Sequence, residues 1–301
     1  MSMTSLDKKV HNFKRRIIAK ALTSRAPESE ALIMCNIRTF CQILVDEPAK
    51  DGWNSARDMT MLVAYVTSDI MGDATFSRNW NMLKSEENRY IVTCSHKASL
   101  SDWRAQQSQS ANHRDLFVAL FDARDPETSR GFRHEENISE AGLLIVVGSG
   151  TMATSITSTI FYLLHYTHSY ERVAAEICSA FASAEDIKAS SALTSCTYLK
   201  ACLDEVMRLN PGIGGLLPRE TLSGGILIDS KFFPEGIDLG AHIMQSITMQ
   251  NTTQQPLSSS LKSGSRKALT PRAMSCVLNL LTVLSASVVQ ATLASRLLIK
   301  R

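Results

Sequence analysis

Tyr198-Leu-Lys-Ala-Cys-Leu-Asp-Glu-Val-Met-Arg-Leu-Asn-Pro211 is the stretch on which the reading of this chain turns. The pattern predicts a helix over 197–209. Glu205 and Arg208 stand three residues apart, so they share a helix face and can pair. Alone the pattern says little, because most exposed pairs of this kind contribute about 0–1 kcal/mol. Its surroundings say more. Downstream come Leu216-Leu217-Pro218-Arg219-Glu220 and then Gly224-Gly225, which introduces Ile226-Leu227-Ile228, a turn at Asp229-Ser230, and Phe232-Phe233-Pro234-Glu235-Gly236. That run predicts a small β hairpin. Upstream, 170–182 reads as a helix, and a longer one runs from Ile138 to about His168, roughly 45 Å at the usual rise. Its centre, Leu143–Val147, is strongly apolar, but Gly148-Ser149-Gly150-Thr151 and the threonines beyond argue for a core helix rather than a membrane span.

Further out the chain predicts more helices. Leu6–Leu22 and Glu28–Glu47 carry apolar stripes at helical spacing, and a third helix, capped by Asn54, runs to Met71 and stops at Gly72. Residues 93–112 are polar and aperiodic, and a short helix over 113–124 ends at Asp125-Pro126. The 301 residues are 44% hydrophobic and 20% charged, with a net charge of +3, which is globular composition and gives no case for nucleic acid as a partner. The basic cluster Lys8, Lys9, Lys14, Arg15 and Arg16 is expected to be a solvated helix face. Seven scattered cysteines (35, 41, 94, 178, 196, 202 and 276) contain no CxxC pair, so neither a disulfide framework nor a zinc site is expected.

The ordered set of a long helix with G-S-G-T, then E-x-x-R, then L-L-P-R-E, then F-F-P-E-G resembles the cytochrome P-450 family of haem-thiolate monooxygenases, in wording like its fungal members. Asp125-Pro-Glu-Thr128 and Trp53-Asn-Ser-Ala-Arg-Asp58 extend the resemblance to roughly residues 5–92 and 113–240. The resemblance implies a mainly α (α+β) fold, here an incomplete version of the family's helical fold with a small β hairpin. It implies haem as the ancestral cofactor, a small lipophilic substrate, a reductase as redox partner, and fungal secondary metabolism. By the same resemblance His11 and Arg15, within Val10–Arg16, match the helix beside the haem propionates, with His11 where tryptophan is usual. Arg219 is a second propionate partner, and Glu205 and Arg208 are the buried pair that locks the scaffold. Thr151 is the alcohol of a proton relay whose acidic neighbour is here Gly150; the plain alternative for Thr151 is a helix threonine bonded to its own backbone.

Three departures from the family lead to the expectation of an inactive relic. The chain begins at the propionate helix, so no N-terminal membrane anchor is expected, and a cytoplasmic location replaces the family's endoplasmic reticulum membrane. About twenty residues near 93–113 stand where the family has the helices that roof its substrate pocket. No cysteine loop follows the E-x-x-R helix: Cys276 lacks its glycine- and arginine-rich surroundings, so no metal ligand is assigned and haem is not expected to be bound. Thiolate ligation is what drives O–O cleavage in this family. The chain accordingly divides into 1–240, family-like with a deletion, and 241–301, a tail without a native fold.

The tail has a reading of its own. Taking the third base of each codon with the first two of the next, Ala241–Gln254 permits P-H-Y-A-I-H-H-N-A-E-Y-Y-P, which is how the fungal family continues; Met244 and Met249 each force the alanine. In the same frame Leu261–Gly264 permits P-E-x-W, and Asn279–Ala294 permits a decayed ligand loop whose key position, at Ala291-Thr292, allows Tyr, His, Asn or Asp but not Cys. Two alternatives from other classes stay open: a haem-free helical protein that binds a partner or ligand through the retained core, and a tail-anchored membrane protein using 276–299.

Overall fold

The computed structural model describes residues 8–45, 56–76, 78–93, 120–183, 186–187, 190–215 and 218–240. Its helices are α1 (Lys8–Val45), α2 (Met59–Phe76), α3 (Tyr90–Thr93), α4 (His134–His165), α5 (Thr167–Ala180), α6 (Ser191–Ser195) and α7 (Thr197–Leu209). The strands are β1 (Arg219–Glu220), β2 (Ile226–Ile228), β3 (Lys231–Phe233) and β4 (Asp238–Leu239). The fold is mainly α, as expected from the sequence. The expected tail, 241–301, and most of the expected deletion lie outside the described residues, as does Asn54.

Among the boundaries that differ from the sequence reading, two bear on the packing. The two N-terminal helices are one, continuous through Pro27; a proline inside a helix removes one backbone hydrogen bond and need not end it. The helix expected to stop at Gly72 continues to Phe76. Gly72 serves packing instead of termination: a Cβ there would stand 2.7 Å from the Arg78 carbonyl and 3.1 Å from the Trp80 ring. The cap of α2 is Asp58, whose carboxylate accepts the backbone N–H of Thr60 at 2.9 Å and of Met61 at 3.2 Å.

α4 is the central rod. Glu136 accepts the backbone N–H of Arg133 at 2.9 Å, closing its first turn. Along its length it packs on α2, α5 and α7. Ile145, Met152, Ile156 and Leu163 enter one core with Ile37 and Phe40 of α1, Val66 and Ile70 of α2, Val173 and Ile177 of α5, and Leu199 and Leu203 of α7. Gly148 admits α2, since a Cβ there would fall 2.7 Å from the Met71 sulfur. α4 is long and apolar enough to cross a membrane, but half of its most apolar window is buried against the rest of the protein, as in a core helix. A second, smaller cluster joins Ile17, Leu120, Ala123, Phe132 and Leu144.

The basic face of α1 is not simply solvated. Lys14 is buried and pairs with the buried Glu140 of α4 at 3.2 Å. Arg16 grips Asp125 with two hydrogen bonds of 2.6 and 3.0 Å, and Thr128 donates a third to the same carboxylate at 2.7 Å. The charge pattern of α1 alone cannot reveal carboxylates supplied by distant segments.

Candidate functional site

The G-S-G-T stretch lies at the middle of α4, and its residues face different ways. Gly148 is buried against Met71, whereas Gly150 is exposed, with open space where a Cβ would be. Thr151 is half-buried, and its hydroxyl donates to the Val147 carbonyl at 2.7 Å. The family-free reading of Thr151 as a self-bonded helix threonine therefore describes its resting hydrogen bond.

The chain leaving α7 returns to this same turn. Gly212 lies against Thr151 so closely that a Cβ on it would stand 3.2 Å from the Thr151 Cβ. Two residues earlier, the Asn210 amide donates to the Ser158 hydroxyl of α4. The fold thus brings Thr151 together with the exit of the E-x-x-R helix.

Glu205 and Arg208 form the expected pair, with two parallel hydrogen bonds of 2.6 and 2.7 Å. Arg208 holds the Glu205 carboxyl below the usual carboxylate range, and Glu205 raises the guanidinium in turn. The pair is not buried, however: the side chains are 36% and 37% exposed. A bidentate pair this wet is a modest local brace. His11 and Arg15 are half-buried on α1, and both are engaged in interactions there. Arg219 is exposed on β1, and its guanidinium donates to the adjacent Pro218 carbonyl at 2.9 Å.

Sequence reasoning missed two ion pairs of α1, Lys14–Glu140, buried on both sides, and Arg16–Asp125, buried on the carboxylate side. The Asp125 carboxyl is pushed far below its ordinary range, first by the hydrogen bond from Arg16. An acid at position 140, inside an apolar helix, was the available signal for the other pair.

Residues 96–246 match the family model for Cytochrome P450. The chain belongs to the cytochrome P450 family. Similar proteins include a cytochrome P450 monooxygenase of Gibberella zeae, 30% identical over 280 residues that take in 80% of this chain and 65% of the relative. Cytochrome P450 monooxygenase AKT7 of Alternaria alternata is 29% identical over 282 residues, covering 80% of this chain and 54% of that protein. Among solved structures, the cytochrome P450DA heme domain superposes with a TM-score of 0.71 at 12% identity, covering 95% of this chain and 71% of that one, a likeness of fold. The chain spans about half to two-thirds of the length of the curated relatives it matches.

The cytochrome P450 family normally binds haem through a cysteine thiolate. The described residues do not fit that group. Cys35 and Cys178 are exposed on α1 and α5, and Cys41 is buried in the core. Cys196 and Cys202, at the start and middle of α7, have thiols pushed up by burial, the opposite of what a thiolate ligand needs. The described residues contain no cluster of three potential metal ligands. Cys94 and Cys276 lie outside the described residues.

Proposed function

We propose that this chain is a cytochrome P450 fragment that no longer performs haem-thiolate chemistry. The observation that carries this reading is the cysteine set: every described thiol sits in the core, on an outer helix face, or in a place that keeps it protonated. Gly150 supports it, because a glycine beside Thr151 can neither give nor take a proton. The out-of-frame reading of 241–301 supplies the cause, a shifted and decayed ligand loop. The ancestral reaction is insertion of one oxygen atom into a small lipophilic compound, fed by a reductase, in fungal secondary metabolism.

Two experiments test this reading. Coding DNA sequenced across codon 241 is expected to give H-Y-A-I-H-H-N two bases out of register; unrelated residues or an early stop there would remove the proposed cause. The expressed chain, given haemin, a reductase, NADPH and a panel of lipophilic compounds under ¹⁸O₂, is expected to yield no labelled product. Incorporated label would overturn the inactive reading.

A further inference from the structure

α7 carries the Glu205–Arg208 pair and leads to the Thr151 contact, yet its own first residues do not cap it. Cys196 occupies the N-cap position, and its side chain makes no capping bond. The thiol turns back to the Ala192 carbonyl at 3.5 Å. An N-cap side chain normally takes the backbone N–H of the second or third helical residue, which here are Tyr198 and Leu199. Both of these groups donate across the helix–helix interface to Glu176 of α5. Tyr198 N–H reaches one carboxylate oxygen at 3.0 Å, and Leu199 N–H reaches the other at 2.8 Å.

We propose that Glu176 is the N-cap of α7, a positioning residue on another helix that sets where the Glu205–Arg208 helix stands against α4. The inference goes beyond the haem reading and does not rest on it. A carboxylate at a helix N-terminus gains from the helix dipole as well as from its hydrogen bonds. Because both oxygens are used, on adjacent N–H groups, the contact fixes rotation as well as distance. A second contact braces the same interface: Arg172, one turn before Glu176, lays its guanidinium 4.1 Å from the Tyr198 ring centre. Beneath both, Val173 and Ile177 are fully buried in the core that Leu199 and Leu203 also enter.

The other end of α7 is pinned separately, by Asn210 to Ser158 of α4. A rod held by α5 at its start and by α4 at its end has little freedom to slide or turn, and Gly212 follows the second pin directly onto Thr151. A serine or asparagine at position 196 would satisfy the same N–H groups but would tether nothing. The distant cap does both. The charge of Glu176 is also felt at Cys196, whose thiol is raised first by burial and then by that carboxylate.

Hydrogen exchange on the full chain tests this, comparing wild type with Glu176→Ala, Glu176→Gln and the double variant Glu176→Ala/Cys196→Asn. Glu176→Ala is expected to speed exchange of the Tyr198 and Leu199 amides roughly tenfold. Glu176→Gln, which keeps one good acceptor and loses the charge, should fall between. The double variant restores a local cap, so its Tyr198 and Leu199 amides should slow again, while the Asn210 amide at the far end of α7 stays several-fold faster than in wild type. If Glu176→Ala unfolds the chain, shown by lost protection along α4, Glu176→Gln carries the comparison. Unchanged exchange at 198 and 199, in Glu176→Ala or failing that in Glu176→Gln, overturns the cap. A double variant that restores both ends alike overturns the positioning role.

Discussion

Ile156 on α4 and Phe232 on β3 are both large apolar side chains in regular secondary structure, yet Ile156 is 1% exposed and Phe232 is 65% exposed. On α4 the covering is mutual. Gly148 lets α2 close in, the hydroxyls of Ser155 and Thr159 bond back to their own helix, and α5 and α7 pack against it as well. The hairpin forms its local structure just as well. Ile226, Leu227 and Ile228 pair with Phe233, Phe232 and Lys231, and Asp229 and Ser230 take the positive φ values that a tight hairpin turn needs. Still, Leu222, Leu227 and Phe232 remain mostly exposed. A two-stranded hairpin is marginal unless something packs on it. Local pattern makes an element, and only a neighbour makes it stable.

The largest effect that would sharpen this contrast is expected in the helical core. Phe40 is fully buried in it, so Phe40→Ala should lower unfolding stability by about 3–5 kcal/mol in a urea titration. A loss under 1 kcal/mol would mean that the helices do not pack as described.

The next effect depends on pH. Asp69, buried on α2, accepts the backbone N–H of Met82 at 3.1 Å and of Leu83 at 3.3 Å. Burial nevertheless pushes its carboxyl up to about 6. Between about pH 4 and pH 6 the native state therefore holds a proton that the unfolded chain has released. The associated stability is fully present below about pH 4 and is lost as pH rises through 6, by roughly 3 kcal/mol. Asp69→Asn should flatten that part of the stability profile. A profile of the same slope in the variant would assign the titration to another group.

Smaller effects follow at the edges of the core. Asn210→Ala should cost about 1 kcal/mol, the net worth of its bond to Ser158. Phe232→Ser should change stability by less than about 0.5 kcal/mol, because the side chain has little burial to lose. It should, however, reduce dye binding and aggregation, which exposed apolar patches promote. A Phe232→Ser variant that loses as much stability as Phe40→Ala would show that the hairpin is covered after all.

Much of this was legible in the sequence, and the failures share one physical cause. The E-x-x-R pairing, the long helix and the hairpin are local patterns, and all three stand where their residues place them. What a single segment cannot encode is the identity of its neighbour. Lys14 and Arg16 read as solvent-facing cations because Glu140 and Asp125 come from far along the chain. Gly72 read as a helix stop because the carbonyl of Arg78 that crowds it belongs to the returning turn. Glu205–Arg208 closed as a pair, but its exposure depends on what lies over it. Glu176 gave no signal at all, since a cap taken from another helix leaves no mark near the residues it caps.

The most direct test of the central claim, a family fold without a thiolate for haem, is the reduced carbon monoxide spectrum. Full-length chain expressed with haemin, reduced with dithionite and exposed to carbon monoxide is predicted to show no absorbance band at the wavelength that names the family. A clean band there, lost on replacing one cysteine such as Cys276, would show a thiolate in place and would contradict the account.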